Sequence, residues 1–256
     1  MNSDVFIPIR LSNTRLPKKA LKEINGIPVV KYLIERIKKA KKIRNVIICT
    51  TQNKIDDELV EFLEKENYMF YRGSENDILV RLRDAAIFFK SDFVVVVDGD
   101  DIYTDPYFVD VIIDEYKKTN ADYLSDNGFP HGFVPVGVTR NALEEICKVK
   151  VSENTSTGYR NFFTQTNLFN CKYIKPKKNM VFPKNLRLTL DYEEDFLLAK
   201  EIFSSLGNYF HIEDINMLIE KQPNLLKIIE GVDERWQQYF GNNITNLTLK
   251  SAEERK

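Results

Sequence analysis

Apolar positions along the first half of the chain fall into two alternating periods, which predict strands and helices in turn. Val5–Ile9 is a short apolar run, read as a buried strand. Val30, Leu33, Ile34 and Ile37 recur at helical spacing, and the cations from Lys38 to Lys42 suit a helix's carboxyl end. Val46–Thr50 is the next strand. Ile55, Leu59, Phe62 and Leu63 mark a second helix, and Tyr68–Tyr71 a short strand. Ile78, Leu79, Leu82, Ala85, Ala86 and Phe89 mark a third helix, Phe93–Val97 an unbroken apolar strand, and Phe108, Ile112 and Tyr116 a fourth helix. This order predicts an α/β, Rossmann-like architecture: a mostly parallel central sheet, helices on both faces, right-handed crossovers.

The pattern weakens between Asp122 and Pro183. Phe133–Thr139 reads as a strand and Asn141–Cys147 as a helix. Ser152 to Thr166 is polar, with Tyr159, Arg160, Phe162 and Phe163 embedded, and suits a substrate loop or a dimer contact. Regularity returns at Leu186–Leu190, a predicted strand. Phe196, Leu197, Lys200, Ile202 and Phe203 then predict a helix capped near Gly207. Ile212–Lys221 and Asp233–Phe240 predict short helices, and Ser251–Lys256 a charged tail.

Composition narrows the partners. The chain has 256 residues, 43% hydrophobic, enough for one sizeable core. Lys+Arg 37 against Asp+Glu 38 leaves no global field to attract nucleic acid or a membrane, so any anion site must be local. No stretch reaches the ~20 apolar residues that span a bilayer. Asp4 and Arg10 interrupt the short apolar run near the start, so no signal peptide is expected. Cys49, Cys147 and Cys171 have no CxxC spacing, and an odd, scattered count predicts a reducing cytoplasm. Asn154-Thr155-Ser156, Asn243-Ile244-Thr245 and Asn246-Leu247-Thr248 match the glycosylation sequon by coincidence on that reading.

Three clusters, each after a predicted strand, carry chemistry. The first is Arg10–Lys19, where Arg10, Arg15, Lys18 and Lys19 interleave with Ser12, Asn13 and Thr14. Cations and hydrogen-bond donors at a strand's carboxyl end suit phosphates; without glycine this is neither a P-loop nor a GxGxxG turn. The second is Asp98-Gly99-Asp100-Asp101. In extended chain Asp98 and Asp100 share a face and would repel without a cation; their oxygens suit Mg²⁺, or Mn²⁺. An acidic turn is the plain alternative. The third is Asp191, followed by Glu193, Glu194 and Asp195, which suits a metal ligand or a helix N-cap. Thr50, Thr51 and Gln52 suit contacts to a base. Arg72–Asp77 leads into the third helix, with Arg81 one turn on; Ser74 or Asp77 also suits its cap. Trp236, Tyr239 and Phe240 at helical spacing read as packing. His131 and His211 form no triad or zinc set.

Together these motifs resemble the cytidylyltransferases of the spore-coat-polysaccharide SpsF type, relatives of the enzymes that make CMP-activated sugar acids. The matches run Arg10-x-x-x-Thr14-Arg15-Leu16-Pro17-x-Lys19, Thr50-Thr51-x-Asn53-x-x-Asp56-Asp57 and Arg72-Gly73-Ser74-Glu75-x-Asp77. They continue with Gly99-Asp100, Asp105-Pro106, Leu186-Arg187-Leu188-Thr189-Leu190-Asp191-x-x-Glu194-Asp195, and Ile212-Glu213-Asp214-Ile215 before Gln222-Pro223.

The resemblance implies an α/β nucleotidyltransferase fold of the GT-A-like kind. It implies one domain over about 1–250: a nucleotide half to about 120, an acceptor or dimer region to about 185, then a metal strand and terminal helices. CTP would be held by Arg10, Ser12, Asn13, Arg15 and Lys19 at its phosphates and by Thr50, Arg72, Ser74 and Asp77 around its nucleoside. Mg²⁺ would be held by Asp100 and Asp191, with Asp98 helping. Arg10, Arg15, Lys19 and Asp100 would be catalytic. A homodimer acting in capsular or other surface polysaccharide synthesis is the corresponding expectation.

Two departures matter. Asn13 and Lys18 replace the usual Ser and Gly, and Lys18 is expected to add a cation near the phosphates. The family's central acidic stretch is replaced by Pro130-His131-Gly132-Phe133-Val134-Pro135-Val136. The acceptor is therefore expected to be a small anion, either a sugar acid or a phosphorylated metabolite such as phosphoglutamine. A metal-dependent glycosyltransferase using Asp98-x-Asp100, or a non-catalytic nucleotide-binding protein, is the alternative.

Overall fold

The computed structural model describes residues 1–178, 180–183, 185–251 and 253–254. Ala252, Arg255 and Lys256 of the expected charged tail lie outside the described residues.

The strands are β1 (Ser3–Pro8), β2 (Glu23–Ile24), β3 (Ile27–Pro28), β4 (Val46–Thr51), β5 (Met69–Gly73), β6 (Phe93–Val96), β7 (Tyr123–Asp126), β8 (Val136–Thr139) and β9 (Cys171–Ile174). Seven of them form one sheet in the order β5-β4-β1-β6-β8-β7-β9, and β2 and β3 form a small separate hairpin. β5, β4, β1 and β6 run parallel. β8 is antiparallel to both neighbours, and β9 pairs parallel with β7. The sheet is thus mostly parallel, as the alternating pattern predicts.

The helices are α1 (Val29–Ile37), α2 (Asp57–Lys65), α3 (Ile78–Phe88), α4 (Pro106–Thr119), α5 (Arg140–Val149), α6 (Asn161–Thr164), α7 (Glu193–Leu206), α8 (Ile212–Lys221), α9 (Leu225–Ile228) and α10 (Val232–Asn243). Strand periodicity sorts the core onto two faces. Val5, Ile7, Ile48, Phe93 and Val95 pack with α1, α2, α4 and α7. Phe6, Ile47, Cys49, Val94 and Val96 pack with α3 and α5. Among the described residues, no helix is long and apolar enough to cross a membrane.

Three expectations need correction. Leu186–Leu190 is not a strand of the sheet. It meets the sequence at 131 through one bridge at Arg187, and Leu188 N and Leu190 N donate to the carbonyls of His131 and Asp100. Its buried apolar residues pack beneath the site without joining a ladder. The lysines after α1 lie beyond the helix, where the Lys41 and Lys42 amides donate to the Asp110 carboxylate. The strand predicted at Phe133 begins only at Val136.

β1 lies between β4 and β6; the chain runs outward from β1 to β4 and β5, then crosses to β6 on the other side. Such a switch point opens a crevice at the carboxyl ends of the strands. Gly99 allows the close approach there: a Cβ on it would lie 2.3 Å from Ile9 Cγ1 and 2.9 Å from the Pro8 carbonyl.

Candidate active site

The crevice is a cavity of about 600 Å³ at the carboxyl ends of β1 and β6. Arg10, Ser12, Asn13, Arg15 and Lys19 line one side, Asp98, Asp100, Asp101 and Asp191 the floor, and Tyr159, Arg160, Trp236, Tyr239 and Phe240 the other. The three motif clusters, distant in sequence, therefore converge.

The loop after β1 is shaped by its own side chains. The Asn13 side-chain oxygen accepts from the Arg15 and Leu16 amides at 3.0 and 3.1 Å, an Asx turn that fixes the loop ahead of Lys19. Lys19 is buried and donates to Asp100 Oδ2 at 2.6 Å and to the Leu190 carbonyl at 2.7 Å; Asp191 Oδ1 lies at 3.5 Å. Burial opposes its charge, but the two carboxylates win and hold its pKa above the ordinary lysine value. Arg15 pairs with Asp191 at 2.6 Å and stacks over the Tyr239 ring at 4.1 Å. Lys18 corrects the expectation of an added cation: it sits in the left-handed region and pairs with Glu58 on the outer surface.

Asp98 and Asp100 do not share one face. The Asp101 amide donates to the Asp98 carbonyl at 2.9 Å, so the segment turns instead of extending. Asp98 thereby meets the Tyr159 hydroxyl at 3.0 Å and Arg160 at 2.7 Å, while Asp100 meets Lys19. Burial raises the Asp100 carboxyl, but Lys19 outweighs it and holds the pKa below 3.8. Asp101, buried beside Asp100 and Asp98, is pushed well above 3.8 by burial and by those charges.

Asp191 is not the cap of α7. The Asp195 carboxylate takes that part, accepting from the Asp191 and Tyr192 amides at 2.9 Å. Asp191 is left to face cations: Arg15, Lys19 and Arg187, the last at 3.0 Å. Arg187 also grips Asp195 at 3.0 Å and Asp233 at 3.4 Å, tying the segment to α7 and α10. Nothing in the sequence marks this second role of Arg187 beyond its place in the motif.

Thr50, Arg72, Ser74 and Asp77 do not line this cavity. Thr50 is fully buried in β4. Arg72 pairs with Asp57 and donates to the Thr51 and Asn53 carbonyls. The Ser74 hydroxyl accepts from the Asp77 amide, and Asp77 caps α3 and pairs with Lys150. Capping, the plain reading, accounts for Asp77, while Ser74 closes the turn that leads into it. Arg81 lines the cavity in their stead.

The opposite wall is aromatic. Trp236, Tyr239 and Phe240 project from α10 into the cavity, contrary to the expectation of packing. Val232 is the one buried residue of this helix. His131 meets Trp236 edge-on at 4.5 Å, and Phe240 stacks on Trp236 at 5.0 Å. Gly132, at φ 85°, seats this corner: a Cβ there would lie 2.3 Å from the Leu188 carbonyl. Desolvation around the His131 ring, then the Arg160 and Arg187 charges, lowers its pKa from 6.5, which favours the neutral imidazole at pH 7.

A cationic loop, carboxylates and a switch-point crevice on a mostly parallel sheet are the features of a nucleotidyltransferase. A sequence model described as cytidylyltransferase matches residues 5–175, and the chain belongs to that family. It is 29% identical over 238 residues to an uncharacterised protein of Methanocaldococcus jannaschii, covering 90% of this chain and 95% of the relative. It is 25% identical over 214 residues to the spore coat polysaccharide biosynthesis protein SpsF of Bacillus subtilis, covering 81% and 89%. The solved cytidylyltransferase from Leptospira borgpetersenii superposes with a TM-score of 0.78 at 26% identity, covering 88% of this chain and 97% of that one.

Proposed function

We propose that the chain transfers the cytidylyl group of CTP to a small anionic acceptor, releasing pyrophosphate. The observation that carries this is the cavity's charge. Arg10, Arg15, Lys19, Arg81 and Arg160 outnumber Asp98, Asp100, Asp101 and Asp191, and Asp101 is driven toward its neutral form. A positive cavity of this size suits a triphosphate.

Among the described residues, no three Asp, Glu, His or Cys side chains gather tightly enough to hold a metal by themselves. Asp100 and Asp191, however, already bracket one cation, the Lys19 ammonium. Asp100 and Asp191 would hold Mg²⁺, whose hardness suits carboxylate oxygens, and the ion would supply charge stabilisation during the transfer. Arg10, Arg15 and Lys19 bind the triphosphate and offset charge on the departing pyrophosphate. An acceptor oxygen attacks the α-phosphorus in line as the bond to the bridging oxygen breaks. Arg160 and the aromatic wall orient the acceptor and exclude water.

The acceptor is a sugar acid or a phosphorylated metabolite such as phosphoglutamine, a precursor of surface polysaccharide. The relative's spore-coat role supports that setting. A hydroxyl acceptor must lose a proton, and the neutral His131 ring is placed to take it; a phosphate needs no such help. The test is pyrophosphate release with Mg²⁺ and each of four nucleoside triphosphates, against panels of both acceptor classes. Release only with CTP and one class is the expected result; absence of CTP-dependent release from both panels overturns the proposal. His131→Ala separates the classes, since it slows transfer to a hydroxyl and spares transfer to a phosphate.

A further inference from the structure

Asp98 follows β6 on the cavity floor, where the sequence suggested a helper for the metal. The opposite wall takes both of its oxygens. Oδ1 accepts from the Tyr159 hydroxyl at 3.0 Å, and Oδ2 from Arg160 Nη2 at 2.7 Å. Asp100 and Asp191 share Lys19, whereas the ion pair of Asp98 is with Arg160. The backbone around Arg160 is fixed by other means. Phe162 and Phe163, 0% and 2% exposed, anchor the next turn in the core, and Phe163 stacks on Tyr123 at 4.9 Å. The core does not fix the guanidinium, which sits partly exposed at the end of a flexible stem. Asp101 lies 3.9 Å from the same nitrogen, a second partner to which the group would turn if Asp98 were lost.

We propose that Asp98 is a positioning residue: with Tyr159 it holds the Arg160 guanidinium against the anionic group of the acceptor, and it takes no part in binding the metal. The proposal rests on the cytidylyl-transfer reading and names what fixes the acceptor's docking point. A charge-assisted hydrogen bond sets direction as well as distance. A guanidinium has five donors, so one nitrogen can be tied to Asp98 while the others meet the acceptor. Held in advance, the side chain loses little freedom when the acceptor arrives.

The experiment has two readouts on the full chain. The first is Mn²⁺ affinity with CTP present, by electron paramagnetic resonance. Asp98→Asn is expected to leave it within about twofold, whereas Asp100→Asn weakens it by about tenfold or more. The second is steady-state kinetics with the acceptor, from the two panels, that the wild type turns over fastest. Asp98→Ala is expected to raise KM for that acceptor by roughly 10- to 100-fold while KM for CTP holds. Asp98→Asn keeps an oxygen for Arg160 and recovers most of the loss. In an Arg160→Met background Asp98→Ala adds nothing, because its effect runs through Arg160. If Asp98→Ala does not fold, Tyr159→Phe decides: it removes one of the two anchors and raises the same KM by about threefold. Weaker Mn²⁺ binding by Asp98→Asn, an acceptor KM that these substitutions leave unchanged or lower, or an undiminished effect in Arg160→Met overturns the assignment. No turnover with either panel would instead sink the cytidylyl-transfer reading, and the Mn²⁺ readout would still judge Asp98.

Discussion

Lys19 is shared between two carboxylates that come from separate segments of the chain, Asp100 and Asp191. Substituting either carboxylate by its amide keeps the shape and removes one charge. Asp100→Asn and Asp191→Asn are each expected to lower kcat by roughly 10²–10³, read as pyrophosphate release at saturating CTP. Asp101 behaves in the opposite sense from Asp100. Asp100, with a depressed pKa, stabilises the fold above the ordinary aspartate range, and that contribution is lost as pH falls through its folded value. Asp101, with a raised pKa, favours the fold at low pH, and that contribution is lost as pH rises from about 4 through its folded value. Asp101→Asn should therefore melt at least as high as the wild type at pH 7, with a flatter dependence of Tm on pH above about 4. At this scale, the cations of the first loop were legible because a strand ending in Arg and Lys has few other uses. Ser74 and Asp77 were not, because a turn or capping residue and a ligand have the same composition. Nor was the pairing of Asp98 with Arg160, which depends on a loop returning across 62 residues of chain.

Among elements, α10 forms as its sequence predicts but faces a cavity instead of the core. The spacing of Trp236, Tyr239 and Phe240 predicted a helix, and α10 is one, but the same spacing could not tell whether the stripe meets the core or a cavity. The distinction lies in what surrounds the helix, namely Arg15 over Tyr239 and Arg187 over Trp236. Trp236→Ala is expected to raise KM for the acceptor by roughly tenfold while KM for CTP holds, and to shift Tm little because the ring is half-exposed. Steady-state kinetics with each substrate varied in turn reads this split. The strands of the first half were legible as apolar runs bounded by helical periods. β7 and β9 were not: Tyr123–Asp126 carries two polar residues in four, and β9 is a partly exposed edge. Leu186–Leu190 was misread because buried extended chain looks like a strand whether or not a partner strand lies beside it.

The whole molecule is held at one point that sequence reasoning overlooked. Arg36, 1% exposed, donates to the carbonyls of Thr104, Asn208 and Phe210 at 2.5–2.9 Å, tying α1 to the segments before α4 and α8. An arginine within an amphipathic helix reads as surface, so no pattern identifies it. Arg36→Met leaves those carbonyls unpaired and is expected to cost about 3 kcal/mol, a fall in Tm of roughly 6–12 °C by calorimetry. The fold class was legible at this scale because alternating strands and helices have few ways to close a core. The far edge of the sheet, with β8 reversed, was not, because strand direction there depends on a long irregular stretch. Residues 244–250 run back along the 149–157 loop: Thr245 N donates to Thr157 O, Val151 N to Thr248 O and Lys250 N to Val149 O. This strap has a consequence for synthesis on the ribosome. Chains fold from the N-terminus as they emerge, and the central parallel strands are complete by residue 96. The loop leading to Tyr159 and Arg160 waits for partners translated some ninety codons later, so the Tyr159–Arg160 wall of the cavity is the last part of the enzyme to be born.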